Sequence, residues 1–321
     1  MNDNVGSAVV IETVGKDAAE QIAESSCVLE IHKHQPGFAK KMDAQTLFDV
    51  SEIPQDKIDP KRLNVSKVLV ERKEIKKLQS HSRAFFGWIK ENSLPGGLLT
   101  LGNGQFLIPL TMVDIIKQRI DEYLSKRDEL LDDFEARYPE IIEASKERLG
   151  PIFDETDYPT FSEIREDFGT SYRFISNKVP EELARKSQEV YDAEKKRIQA
   201  ECAGLVPLIQ ENLRSRFLDL VEHFKDRLAT DDATGKKKRF HGSNIDKLQE
   251  FISMFAHMNL TGDGDLAVLV EQSKALVEGA DVDKIRTDDA FRTQLESSFN
   301  EVKLAADKLV VDRKRRVVLE D

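Results

Sequence analysis

Cysteine is nearly absent from this chain: Cys27 and Cys202 are the only two among 321 residues, far apart and without CxxC spacing. That excludes a disulfide framework and a zinc finger, and it fits a reducing cytosol. No apolar run reaches the roughly 18 residues that a membrane-spanning helix requires. The opening Met1-Asn-Asp-Asn-Val-Gly has neither a basic stretch nor an apolar one, so no signal peptide is expected and the chain reads as cytoplasmic. Positive charge is in deficit, with 48 Lys and Arg against 59 Asp and Glu and a formal net charge of −11. Phosphate affinity comes from excess cations, so this balance disfavours bulk nucleic-acid binding and leaves room only for local basic patches. The common catalytic signatures are missing too: no phosphate loop, no dinucleotide-binding glycine pattern, no nucleophile elbow and no HExxH. No catalytic residue, bound metal or cofactor is therefore expected.

What the chain has is helical periodicity. Hydrophobic residues make up 40% and charged residues 33%, a charge content usual for long solvent-exposed helices. From Pro180 to about Thr230, apolar residues recur at Leu183, Val190, Ile198, Cys202, Leu205, Ile209, Leu213, Phe217, Leu220, Phe224 and Leu228, mostly in steps of three or four. The pattern predicts one uninterrupted helix over 181–229, a rod of about 70 Å at about 1.5 Å per residue. Further long helices are predicted over about 64–92, 111–148 and 288–319. The first carries Val68, Ile75, Leu78, Phe85, Phe86 and Ile89 toward a core, and the second is expected to kink or break at Tyr138-Pro139. Shorter helices are predicted over about 244–258 and 265–278.

A small antiparallel β element is predicted at 27–34 and 98–109. Cys27–His32 alternates, and Asn103-Gly104 between two apolar runs is a strong hairpin signal, because both positions tolerate positive φ. Residues 171–175 read as extended. Residues 1–24 are expected to be a loose leader, 38–62 short helices and turns, and 25–321 one elongated, mainly α domain of coiled-coil-like helices. Such long stripes favour lengthwise packing at shallow crossing angles.

Candidate sites are few. His32 and His34 lie two apart on a strand, on one face, with Cys27 nearby, which some metal sites require. No spacing supplies a further ligand, and a polar strand edge is the commoner origin. Asp154, Glu155 and Asp157 could hold Mg²⁺ or act as acid and base, yet acidic loops before helices are ordinary. Asn259–Asp265 resembles part of a calcium loop but lacks the closing Glu, so Asp263 or Asp265 is expected to cap the next helix. Lys236, Lys237, Lys238 and Arg239 form the sharpest basic run, followed by Phe240, which could stack on a base. Arg313, Lys314, Arg315 and Arg316 form a second, flanked by acids. Trp88 is expected to be a core or interface anchor.

Several segments taken in order resemble a bacterial and phage family, the domain of unknown function numbered three-one-five-zero. They are Ile53-Pro54 with Ile58-Asp59-Pro60, then Gly104–Pro109, then Tyr158–Arg165 with Phe168 and Tyr172, and last Met258–Asp263 followed by Leu266. The turn Leu101-Gly-Asn-Gly departs slightly from that pattern. The family has no assigned activity, and its genes often lie near those of a MoxR-like AAA+ ATPase and a CobT-like von Willebrand A protein. The resemblance implies an accessory of such an ATPase system, in a phage or mobile-element setting. Three expectations follow: a non-enzymatic helical adaptor for a protein partner; a nucleic-acid-associated protein using the basic runs; and, third, a metal-dependent enzyme using His32, His34 and the Asp154–Asp157 acids.

Overall fold

The computed structural model describes residues 18–49, 59, 62–95, 104–230, 237–278 and 280–310. The architecture is mainly α, with long helices and two small antiparallel sheets. Its axis is helix α7 (Gln188–Leu228), 41 residues or about 60 Å long. Cys202, Leu205, Ile209, Leu213, Phe217, Val221, Phe224 and Leu228 form its buried line. The flanks of this line are half-buried, because helices α1 (Ala18–Ser25), α6 (Glu181–Lys186), α8 (Gly242–Met258) and α11 (Asp289–Asp307) all pack on it. Helix α9 (Gly264–Val277) fills the space between α8 and α11, and α10 (Val282–Thr287) leads into α11.

Strands β1 (Ser26–Lys33), β4 (Gln105–Pro109) and β5 (Thr170–Ser176) form the main sheet in the order β4-β1-β5. Leu29 pairs with Phe106 on one side and Phe174 on the other. As the central strand, β1 is buried continuously from Ser26 to Leu29 instead of alternating. Glu30 ties all three strands together. Hydrogen bonds from Arg173 and then Gln105 hold its carboxyl far below the usual range, at about 2.

A second, smaller core lies beside the first. Strands β2 (Ala39–Met42) and β3 (Val65–Val68) pair at its edge, and helix α2 (Ala44–Asp49) follows β2. Phe38, Leu69, Val70 and Ile75 pack there with Leu78 of helix α3 (Lys76–Glu91), with Leu131, Phe134, Tyr138 and Ile141 of helix α4 (Val113–Leu149), and with Ile164 of helix α5 (Phe161–Asp167). The other ends of α3 and α4 belong to the main core through Phe85, Ile89, Ile116, Ile120 and Tyr123.

Several expectations need correction. Helix does not begin near residue 64: Val65–Val68 is a strand on β2, Val68 is 56% exposed, and α3 starts only at Lys76. The 181–229 rod is two helices. Ser187 turns extended and caps α7 by accepting from the Val190 N–H, which ends α6 one residue earlier. Helix α4 runs unbroken through Pro139, and α7 through Pro207. Both prolines are exposed, so water can satisfy the carbonyls they orphan. Residues 18–24, expected in a loose leader, form α1, with Ala19 and Ile22 buried. The last helix, expected to about 319, ends at Asp307 within the described residues. Residues 1–17, the expected first hairpin strand at 98–101 and the stretch beyond 310 lie outside the described residues. The described partner of β4 is β1, with a single bridge from Leu94 to Leu107.

Two arginines fasten the shorter helices to α7. Arg214 holds Asp263 through both oxygens at 2.7 and 3.0 Å and donates to the Leu309 carbonyl at 3.1 Å. Asp263 at the same time caps α9, accepting from the Leu266 N–H. The capping reading of the 259–265 loop therefore holds. Arg292, 5% exposed, donates to the carbonyls of Leu228, Arg227 and Lys238, closing the C-terminus of α7.

Two measurements follow. Gly104 has φ +84°, and a Cβ there would lie 2.6 Å from the Ile31 carbonyl oxygen. Gly104→Val should therefore destabilise the protein by about 2 kcal/mol in urea unfolding, and an unchanged midpoint would contradict that backbone. Asp263→Ala strands the Arg214 charge and uncaps α9, and Arg214→Met strands the buried Asp263 carboxylate. Each should cost about 3 kcal/mol, and the double variant should cost clearly less than the sum of the two. Losses that simply add would mean that the pair is not the joint described.

Candidate functional site

Among the described residues, those singled out from sequence do not assemble into a site. In the 236–239 run, Lys237 is paired with Asp289 and Lys238 with Asp226, while Arg239 is exposed. Phe240 is buried edge-on against Phe224, its carbonyl held by Arg286, so it is core and offers no face to a base. Lys236, Arg313, Lys314, Arg315 and Arg316 lie outside the described residues. His32 sits 3.3 Å from Glu30, and the exposed His34 uses its backbone N–H on the Gly169 carbonyl. Asp157 is held by Lys40 and Lys67, and Asp154 accepts from Thr156 in its own turn. Both carboxyls are lowered below their usual range, Asp154 mainly by the Thr156 bonds and Asp157 by the two lysines, which together outweigh its burial. Among the described residues no three His, Cys, Asp or Glu side chains come together as a metal site. Burial pushes both cysteine thiols up, which makes them poor nucleophiles. Trp88 acts as the anchor expected of it: its Nε1–H donates to Glu250 at 2.6 Å, joining α3 to α8.

The structure instead presents a groove of about 900 Å³ along α3. Helix α3 has two faces. Leu78, Ser82, Phe85 and Ile89 are buried. Lys76, Gln79, Ser80, Arg83, Phe86, Gly87 and Lys90, at steps of three, four and seven, line the groove. Lys33 and Gln35 from the end of β1, and Arg72 and Lys73 from the turn before α3, complete the lining. Six cations thus converge, and no carboxylate lines the groove. Lys73 meets Glu71 at 2.9 Å. Lys33, Arg72, Lys76, Arg83 and Lys90 have no carboxylate partner among the described residues. The Lys33 Nζ lies 5.1 Å from the centre of the Phe86 ring.

Like charges gathered without counter-ions raise the energy of the free protein and favour an anion that spans them. In a chain of net charge −11 this concentration is not a by-product of composition. Part of it was readable: Lys76, Arg83 and Lys90 recur every seven residues on one helix face. The contribution of Lys33 depends on how the end of β1 meets α3, which no sequence spacing encodes, and that of Arg72 on the turn that precedes α3. Phe86, expected toward the core, is half-buried: it packs against the main core and also lines the groove.

A second concavity, of about 630 Å³, runs between α8 and α9. Ile252, Phe255, Ala256, Ala267, Val270 and Val277 make it largely apolar.

No helix among the described residues is long and apolar enough to cross a membrane. No family model, no curated protein and no solved structure matches this chain, so the family resemblance rests on the quoted sequence segments alone.

Proposed function

We propose that this protein is a non-enzymatic helical binding protein that grips the phosphate backbone of a nucleic acid in the α3 groove. The convergence of six cations with no lining carboxylate carries the reading. Bidentate guanidinium donors at Arg72 and Arg83, with lysine ammonium groups between them, suit phosphate oxygens. The net charge of −11 opposes long-range capture, so affinity depends on close contact in the groove and on low salt. The 236–239 run contributes little to this reading, because half of its charge is already spent on Asp226 and Asp289.

Fluorescence anisotropy with a labelled oligonucleotide at several salt concentrations tests it. With about five phosphates contacted, log K against log salt should fall with a slope of about −3 to −4. Exchanging Lys76 and Arg83 together for Glu should lower affinity by about 100-fold or more at low salt, whereas exchanging Lys237 and Arg239 should change it little. The reverse pattern would move the interface away from α3.

A second reading, adaptor to a protein partner such as an AAA+ ATPase, is favoured by the apolar α8–α9 concavity, which has the form of a helix-binding groove. In that case a MoxR-like ATPase should co-elute with the protein, and Ile252→Asp should abolish co-elution while leaving oligonucleotide binding intact. Co-elution that survives Ile252→Asp would place such a contact elsewhere.

A further inference from the structure

The groove contains one aromatic ring among its cations, and that ring narrows the ligand. We propose that the groove is built for single-stranded nucleic acid, with a base stacked on Phe86 above Gly87 and neighbouring phosphates held by Lys33, Arg83 and Lys90. This rests on the reading of the groove as a phosphate site.

Phe86 is held ready for a flat partner. Its ring stands edge-on to Phe85 at 5.2 Å and to Tyr123 at 6.2 Å. Those two rings are themselves stacked at 4.1 Å with an interplanar angle of 8°. A ring braced in this way loses little freedom when a ligand settles on it.

In the free protein the Lys33 ammonium occupies the Phe86 face. An exposed cation–π contact is worth about 0.5–1 kcal/mol, whereas base–aromatic stacking is worth about 1–3 kcal/mol per base. A base therefore displaces Lys33 favourably and frees its charge for a phosphate. The resting contact acts as a placeholder that exchanges one weak interaction for two stronger ones.

Gly87 supplies the space. A glycine inside a helix costs about 1 kcal/mol against alanine. Here it sits in the groove lining beside Phe86, and apart from its chain neighbours and its own helix backbone nothing lies within 4 Å of where its Cβ would be. The opening lets a ligand approach the helix backbone closely.

Duplex DNA does not suit this shape. A helix reads a duplex by protruding into a groove about 12 Å wide, and paired bases have no free face for a ring. Helix α3 instead lines a concavity that Lys33 and Arg72 help to bound. Along it, Lys76, Arg83 and Lys90 recur about 10 Å apart, one cation for every few nucleotides of a strand laid lengthwise.

The test uses the full chain and anisotropy with four probes of about twelve units: labelled oligothymidylate, the same strand with abasic sites at its centre, a blunt duplex, and poly-glutamate as competitor. Oligothymidylate should bind about 10-fold or more tighter than duplex or abasic strand. Phe86→Leu and Gly87→Leu should each weaken oligothymidylate binding by about 5-fold or more, with an unchanged salt slope and unchanged duplex affinity. Circular dichroism checks that both variants stay folded, and the abasic probe gives the same comparison with no substitution at all. Equal affinity for oligothymidylate, abasic strand and duplex would overturn the single-strand inference while leaving the phosphate site standing. No binding to any nucleic acid would overturn both. Displacement by poly-glutamate as effective as by unlabelled oligothymidylate would replace nucleic acid with an acidic protein partner.

Discussion

Helix α7 buries one line from Cys202 to Leu228 and half-buries the flanks of that line, so this stretch must be covered from several sides, and no single element among the described residues covers it alone. Most of the architecture answers that demand. Short helices α1, α6, α8 and α11 lie against successive parts of α7, and each brings helix ends whose polar groups would otherwise be stranded near the core. Arg214 and Arg292 resolve this by different means. Arg214 shares its charge with Asp263, whose carboxylate also caps α9. Arg292 has no carboxylate and satisfies three backbone carbonyls instead, which suits the negative end of the α7 dipole. A central helix covered by fragments therefore depends on a few buried guanidinium groups as much as on apolar area.

Helix α3 follows a different logic. Its apolar side is spent on two cores, and its polar side is not the mixed-charge surface seen on α4, where Lys117–Asp121 and Lys126–Glu129 pair along the helix. Groups that raise the energy of the free protein need a compensating partner, and an anion provides it. The same comparison separates a charge run that is merely solvated from one that is organised. Lys237 and Lys238 are close in sequence and already neutralised, whereas Lys33, Arg72 and Arg83 are distant in sequence and converge.

Much of this was legible from periodicity. Apolar steps of three and four located α4, α7, α8, α9 and α11, because tertiary burial follows the stripe in each case. The strand at β1 was legible from alternation, whereas the hairpin read from Asn103-Gly104 has its first strand outside the described residues and β4 pairs with β1. The failures have physical causes. Val65–Val68 sits at helix-compatible steps ahead of α3, and a four-residue strand leaves too little alternation to compete. Ser187 ends a helix through one side-chain hydrogen bond, a signal that an otherwise continuous apolar stripe hides. Pro139 lies on a solvent-facing side of α4, where water takes the freed carbonyl, and a breaker signal in sequence carries no information about that face. Of the groove, only the Lys76–Arg83–Lys90 recurrence is contiguous enough in sequence to be read from spacing.

Both α3 and α4 pass from one hydrophobic core into the other without a break. Leu78 and Leu131 stand in the smaller core, Phe85 and Ile120 in the larger, with less than four helical turns between the members of each pair. To melt the smaller core alone, the chain would have to unwind segments of two helices whose remaining turns are still clamped by the larger one. Helix propagation is cooperative, so the loss spreads across that junction. The shared helices thus couple, through two unbroken stretches of backbone, what are by side-chain packing two separate cores.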